Sequence, residues 1–361
     1  MRTHGEGTIT QRKDGRWQGA LQVDGVRRVV YGKTRKEVVE KLEAIRRLAR
    51  DAGAIPNPGK RTLGDLLDAW LETKAPNWKP RTLADYRELC AVHLRPALGS
   101  VHLSKLTPDR VARYLATWQR RGKARTALKL YRALSQALAL AVRWGWLAHN
   151  PCERVDTPRY RPQRKGVWTQ DELRRFLQAT EADWLWPLWV TAIATGCRIG
   201  ELLALEWPDV DIGAGTITVD KSAQVIGGQR VVTTPKTQAG RRVIALPGQA
   251  VAALQAQGLQ QRDWGYTGDL VFCRPDGRPL TQTLVAWHMR QACQRAGVPA
   301  MTPHGLRHLH ASLLLGQGLP LPDVSQRLGH ATPQVTLTIY AHALQGGDRR
   351  AAQALDGLLG G

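Results

Sequence analysis

Four stretches in the C-terminal half of this 361-residue chain set charged or polar side chains inside otherwise apolar patterns. TGCRIGELLAL carries Arg198 and Glu201 beside a glycine-containing turn, and TPKTQAGRR carries Lys236. TPHGLRHLHASLL carries His304 and Arg307, and LGHATPQVTLTIYAH carries His330 and Tyr340. His304 and Arg307 are one helical turn apart, so a helix presents both on one face. Guanidiniums suit planar, bidentate contact with an oxyanion, phosphate above all. A free tyrosine has a pKa near 10, so only about one in a thousand is phenolate at neutral pH. Taken alone, Tyr340 therefore reads as a half-buried packing residue. A reacting role needs neighbours that supply charge or take the proton. His304 and His308 also stand at the i,i+4 spacing of zinc ligands, but HGLRH lacks the glutamate of HExxH and no third ligand suggests itself.

Composition narrows the substrate. With 43% hydrophobic residues and 13 tryptophans the chain is globular rather than disordered, and its length suffices for two or three domains. Lys and Arg number 52 against 30 Asp and Glu, a formal net charge of +22 and a pI near 10.5. Such a field favours a polyanion, and nucleic acid is the commonest, because each phosphate paired with Lys or Arg releases condensed counterions. Residues 1–160 hold 32 basic and 15 acidic side chains, +17 of that total. The skew predicts an N-terminal part that grips DNA and a C-terminal part with another task. Cys90, Cys152, Cys197, Cys273 and Cys293 show no metal-binding spacing and read as reduced, mostly buried thiols. No apolar signal region opens the chain, and no run approaches the roughly 18 apolar residues of a membrane span. A cytoplasmic location and no membrane partner are expected.

Three blocks must position the reactive residues. In residues 1–52, GTITQR, RWQGALQV and VRRVVY read as strands joined by Asp14-Gly15 and Asp24-Gly25, links that favour hairpins. A helix follows from Thr34 to about Arg50, with Glu37 completing a capping box. The linker AGAIPNPGK leads into residues 61–156, which read as helical. TLGDLLDAWLETK repeats Leu63, Leu66, Leu67, Trp70 and Leu71 on one face. Further helices are expected from Thr82, from Thr107 with Pro108 at its first position, and from about Ala124 to Trp144 before Gly145. Arg110, Arg113, Arg120, Arg121, Lys123, Arg125, Lys129 and Arg132 fall at exposed positions, a surface suited to tracking phosphates.

A second basic linker, TPRYRPQRKG, precedes a block that opens with the capping box Thr169 to Glu172 and mixes helix with strand. TITVD, QRVVTTPK and GRRVIAL read as strands, the last two forming a hairpin that presents Lys236 before the connection TQAG. Near the end, Gly329 stops one helix, and Thr332 caps the next with Pro333 in its first turn.

In this order and spacing, the four stretches resemble those of the tyrosine recombinases, the phage-type integrases. The resemblance covers the whole third block, and the N-terminal layout fits it. It implies that Arg198 and Arg307 clamp a phosphate, that His304 is the histidine of the His-x-x-Arg pair, and that His330 fills the His/Trp position. It makes Tyr340 the nucleophile, Lys236 the hairpin lysine that protonates the departing 5′-hydroxyl, and Glu201 a supporting acidic residue. Lys221 remains the alternative to Lys236. DNA would be cut and rejoined through a 3′-phosphotyrosyl intermediate, which conserves the energy of the broken bond, so no metal, ATP or other cofactor is expected.

For the fold, the resemblance implies a multidomain chain. Residues 1–52 form a small β-sheet-plus-helix N-terminal domain that binds arm-type DNA, residues 61–156 an all-α core-binding domain, and residues 163–361 a mixed α+β, mainly α, tyrosine recombinase catalytic domain. The implied partners are double-stranded DNA at core and arm attachment sites, three further copies in a homotetramer on DNA, and an accessory DNA-bending protein or excisionase. The tail DRRAAQALDGLL reads as an amphipathic helix that docks on a neighbouring protomer. An additional N-terminal domain points to a prophage or other mobile element rather than to a Xer-like resolvase of the same chemistry. A non-catalytic DNA-binding regulator is the alternative outside catalysis. The missing carboxylate cluster speaks against a metal-dependent nuclease.

Overall fold

The structure, a computed structural model, describes residues 8–23, 26–52, 59–161, 166–234 and 240–330, together with Thr332, Gln334 and Leu337. The chain divides into two units, residues 1–163 and 164–361.

The first unit opens with three antiparallel strands, β1 (Thr8–Gln11), β2 (Trp17–Val23) and β3 (Val26–Gly32), followed by helix α1 (Arg35–Ala52). Gly15 turns the first hairpin at φ 79°, as expected of an Asp-Gly link. Asp24 and Gly25 lie outside the described residues. Half of the expected capping box forms. Thr34 Oγ1 accepts from the Glu37 N–H at 3.2 Å, while the Glu37 carboxylate reaches one residue further back, to the Lys33 N–H at 2.8 Å. Helix α1 covers one sheet face, packing Val38 and Leu42 on Leu21. Gly19 permits that approach, since a Cβ there would lie 2.5 Å from Val38 Cγ1.

Helices α2 (Leu63–Lys74), α3 (Pro80–Leu89), α4 (Arg95–Leu98), α5 (Pro108–Arg120) and α6 (Ala124–Arg143) follow. All five apolar positions read from the periodicity of α2 are buried. Trp70 anchors this core, with Trp78 and Tyr86 edge-on to it at 5.2 and 5.1 Å. Helix α3 starts two residues before Thr82, because Pro80 takes the first helical position, where a missing N–H is no loss. Thr107 caps α5 as its sequence predicts, and Gly145 follows α6 at φ 69°. The eight basic residues expected on and between α5 and α6 are all exposed.

The second unit contains α7 (Gln170–Thr180), α8 (Trp186–Thr195) and α9 (Ile199–Leu202). Strands β4 (Val210–Asp211), β5 (Thr216–Val219), β6 (Ser222–Ile226), β7 (Gln229–Thr233) and β8 (Arg242–Ala245) come next. Helices α10 (Gly248–Asp263), α11 (Gln282–Arg295), α12 (Pro303–Gly316) and α13 (Leu321–Leu328) complete it. The Thr169–Glu172 capping box forms in full. Trp168, Phe176, Trp189, Leu202, Ile217, Ile244 and Leu306 belong to one core, so strands and helices of this unit share their buried side chains.

One expectation fails here. Strands β7 and β8 are not a hairpin: β7 pairs with β6, and β8 pairs with β5 in a separate sheet of order β4-β5-β8. The cause is the strand SAQVI, unread in the sequence, which reaches β7 through Gly227 and Gly228. Both glycines have positive φ, so the tight turn gives β7 a nearer partner than β8. Lys236 accordingly follows β7 on the way to a different sheet, and residues 235–239 lie outside those described.

All five cysteines are buried and free. Among the described residues, no helix is long and apolar enough to cross a membrane.

Candidate active site

The site grows from the C-terminus of α8. That helix stops at Gly196, whose φ of 63° is left-handed. A Cβ on Gly196 would also lie 2.5 Å from His310 Cδ2, so backbone conformation and space both demand glycine. The chain then turns through Cys197 and Arg198 into the short α9. Glu201 fixes this turn: its Oε2 accepts from the Arg198 N–H at 2.9 Å and its Oε1 from Arg198 Nη1 at 2.8 Å. Glu201 is 6% exposed. Its burial works to raise the carboxyl pKa, but the hydrogen bond and charge of Arg242, with the Arg198 N–H and guanidinium, outweigh it and hold the group below the ordinary carboxylate range. Glu201 therefore stays charged and orients Arg198, whose own side chain is 43% exposed and open to a ligand.

Arg307 comes from α12, which Thr302 caps by accepting from the Gly305 N–H at 3.2 Å. It is 2% exposed, and its Nη1 donates to the Gly196 carbonyl at 2.9 Å. The two arginines of the first and third motifs are thus tied to one three-residue turn. His304 lies one turn earlier on α12, near the positive end of the helix dipole. Its ring meets His308 edge-on at 4.8 Å. Desolvation, then the charges of His308, Arg307 and Arg198, push its imidazole down to about 4.

His330 comes from the end of a different helix. Helix α13 ends at Gly329, φ 66°, and the His330 N–H donates to the Ser325 carbonyl at 3.1 Å. Burial, followed by the charges of Arg307, Arg198, Arg242 and His308, lowers His330 to about 4. Both imidazoles feel the same two arginines, so Arg198, His304, Arg307 and His330 share one electrostatic neighbourhood. At neutral pH both histidines are uncharged hydrogen-bonding groups, and the cationic charge belongs to the guanidiniums.

Lys236 and Tyr340 lie outside the described residues, as do Pro333 and the tail DRRAAQALDGLL. Of the segment that leads to Tyr340, Thr332, Gln334 and Leu337 are described, the latter two helical. Lys221, the alternative lysine, is engaged: its Nζ pairs with Glu206 and, at 2.9 Å, with Asp209. Burial opposes the charge on Lys221, but the two carboxylates prevail and raise its pKa.

Three residues complete the surrounding network; the motifs single out neither Arg242 nor Arg327 and mark His310 only as an ordinary polar or packing residue. Arg242, with 7% of its side chain exposed, donates from Nη2 to Glu201 Oε2 at 2.9 Å. Arg327 donates to the carbonyls of Ala194 and Ala245, both at 3.0 Å, and from Nε to His310 Nε2 at 3.3 Å. That last bond makes Nε2 of His310 an acceptor, leaving Nδ1–H to donate to the Ile193 carbonyl at 2.8 Å. Arg242 alone had a readable signal: in GRRVIAL it is in phase with Ile244 and Leu246, the inward positions of a strand.

His310 makes the second unit acid-sensitive. Its burial, reinforced by Arg327, lowers the ring to about 4, and it is 4% exposed. In the unfolded chain the same group titrates near 6.5, so protons bind the unfolded state more readily. The contribution is fully present above about pH 6.5 and is lost as pH falls toward 4, by about 3 kcal/mol at most. Thermal unfolding of this unit between about pH 7 and 4.5 should show the decline, and His310→Gln should flatten it in part, because His304, His308 and His330 are depressed as well. An unchanged slope in the variant would exclude His310 as a source.

The sequence pattern of the Phage integrase family matches residues 167–346, and that of the Phage integrase central domain matches residues 63–157. An integrase of Streptomyces ambofaciens is 30% identical over 342 residues, covering 91% of this chain and 88% of its own. A protein described as tyrosine recombinase XerC-like, from Caldanaerobacter subterraneus subsp. tengcongensis, is 28% identical over 362 residues, with 92% of each chain covered. In fold, the Tn1549 transposon integrase, solved in complex with transposon right end DNA, matches 83% of this chain and 100% of its own with a TM-score of 0.71 at 21% identity. These likenesses run through the very segments that carry Arg198, His304, Arg307 and His330, and the chain belongs to the phage integrase family, the tyrosine recombinases that cut and rejoin DNA.

Proposed function

We propose that the protein integrates and excises a prophage or other mobile element, joining Tyr340 transiently to a 3′-phosphate at a specific site in double-stranded DNA. The observation that carries this reading is that Arg198 and Arg307 are tied to one turn, Glu201 holding the first and the Gly196 carbonyl the second, with His304 one turn before Arg307 on α12 and His330 just past α13, at the start of the segment that leads to Tyr340. A phosphodiester resists attack because it is anionic. The buried Arg307 and the solvent-open Arg198 neutralise the charge that builds on the non-bridging oxygens as the phenol oxygen attacks. His304 and His330 add hydrogen bonds without adding charge. The departing 5′-oxygen takes a proton from Lys236, because Lys221 is committed to Glu206 and Asp209. Return of a 5′-hydroxyl from another duplex reverses the step and seals a recombinant strand. Two duplexes present four strands to cut, which calls for four protomers on DNA. A DNA-bending protein or excisionase sets the direction, and the cytoplasm, where genomic DNA and reduced thiols coexist, is the place of action.

Residues 61–156 grip the core site with their exposed arginines and lysines, and residues 1–52 take an arm site. The sheet face opposite α1 suits that second task. Register places Gln18 beside Tyr31 and Gln22 beside Arg27. Tyr31 is 47% exposed, with the Arg12 guanidinium 5.4 Å above its ring. Deleting residues 1–52 should leave core-site binding and cleavage intact while weakening arm-site binding at least about tenfold, and Arg27→Glu in the full chain should act in the same direction. Gel shifts on separate core and arm fragments measure both. Unchanged arm binding by the truncated chain would remove the arm role from this domain.

A further inference from the structure

Beneath Arg198 lies a guanidinium that none of the motifs singled out. Arg242, at the start of β8, uses all three of its nitrogens, two of them on distant segments and one on the chain just before its own strand. Nε donates to the Arg327 carbonyl at 2.8 Å and Nη1 to the Gly240 carbonyl at 3.1 Å. Nη2 donates to Glu201 Oε2 at 2.9 Å and lies 3.7 Å from Cys197 Sγ. Each partner leads directly to the site. Glu201 holds the backbone and the guanidinium of Arg198. Arg327 is in the last turn of α13, three residues before His330 and on the chain to Tyr340. Gly240 closes the connection that carries Lys236.

We infer that Arg242 is the positioning residue that holds the Arg198 turn and the end of α13 in one register, so that the phosphate clamp and the nucleophile-bearing segment meet the same phosphate. The inference rests on the recombinase reading given above. A planar fork reaches acceptors on three sides at once, whereas the single ammonium of lysine reaches one or two. Arg242 also shares the Glu201 carboxylate with Arg198. Without Arg242 the whole carboxylate charge falls to Arg198 and draws it away from the substrate. Arg242 touches no reacting atom; it acts through Glu201 and the carbonyls of Arg327 and Gly240, and its charge helps to keep His330 neutral.

The test compares the full-length wild type with Arg242→Met, Arg242→Lys, Glu201→Gln and the Glu201→Gln/Arg242→Met double variant. Single-turnover cleavage of a nicked core-site DNA is followed by covalent adduct, and core-site affinity is measured in parallel. The double variant removes the unpaired carboxylate that Arg242→Met would leave, which keeps a folded protein available if the single variant is unstable. Expected is a loss of about 10–100-fold in cleavage for Arg242→Met, little recovery with lysine, and affinity within about threefold of wild type. The double variant should be no slower than the slower single variant, because the two residues act as one unit. A guanidinium that merely supports the fold predicts instead equal losses in affinity and rate, or multiplicative losses in the double variant. Either result, or Arg242→Met cleaving within about threefold of wild type, overturns the proposal. Adduct formation by the wild type separates this failure from a failure of the recombinase reading.

Discussion

Tyr340→Phe protein should form no covalent adduct with DNA. On a nicked suicide substrate, cleavage frees a short fragment that diffuses away, so the wild type should accumulate as a protein–DNA species stable to boiling in detergent. The substitution removes one oxygen and almost no volume, so core-site affinity and thermal unfolding should match those of the wild type. Chelator should leave the wild-type yield unchanged, because in the proposed site Arg198 and Arg307, rather than an ion, meet the charge of the phosphate. Adduct formation by the phenylalanine variant would move the nucleophile to another tyrosine and dismantle the site as assembled here.

Arg307→Lys should lower single-turnover cleavage by about 10²–10³-fold while core-site affinity changes by less than about threefold. The reason is geometric. Arg307 spends Nη1 on the Gly196 carbonyl, so in the proposed site one guanidinium must both brace the turn that presents Arg198 and meet the phosphate. An ammonium is a point charge and cannot do both. Arg198→Lys should lose cleavage to a similar extent for a related reason: its Nη1 is drawn to Glu201, and a lysine drawn to that carboxylate has no second nitrogen for the substrate. Because Arg307 is buried and Arg198 is open, the Arg307 variant alone should also lower the unfolding temperature of its unit. Cleavage by either variant at near wild-type rate would show that bidentate contact is not what these positions provide.

Local chemistry made much of this chain legible. The apolar face of α2, the Thr107-Pro108 start of α5, the Thr169–Glu172 box and the Gly329 stop all depend on residues within a turn or two of each other. Pairing between strands is not local, and there the reading failed. GRRVIAL and QRVVTTPK are neighbours in sequence, yet Gly227 and Gly228 turn the second of them onto SAQVI instead. In the candidate site, the arginines and histidines stand out in the sequence because their motifs are dense. Their supports were less so. Arg242 left a trace in the strand alternation, but Arg327 and His310 are explained by carbonyls of Ala194, Ala245 and Ile193, which the fold brings from distant segments. A backbone acceptor leaves no mark in the residue that supplies it.

The buried apolar side chains have a consequence for how the chain comes apart. Among the described residues, Leu21, Val38 and Leu42 form the buried core of the N-terminal sheet, Leu63 through Cys152 supply another, and Trp168 through Leu309 a third. Cooperativity follows shared burial, so these cores are expected to melt as separate blocks, giving the chain several unfolding free energies rather than one. The N-terminal block, with its small buried core of Leu21, Val38 and Leu42, should give way first. In a calorimeter the van't Hoff enthalpy of the whole chain then falls below the calorimetric enthalpy. On the proposed division of binding, arm DNA should raise the first transition and core DNA the later ones, because a ligand stabilises only the block that must be folded to bind it.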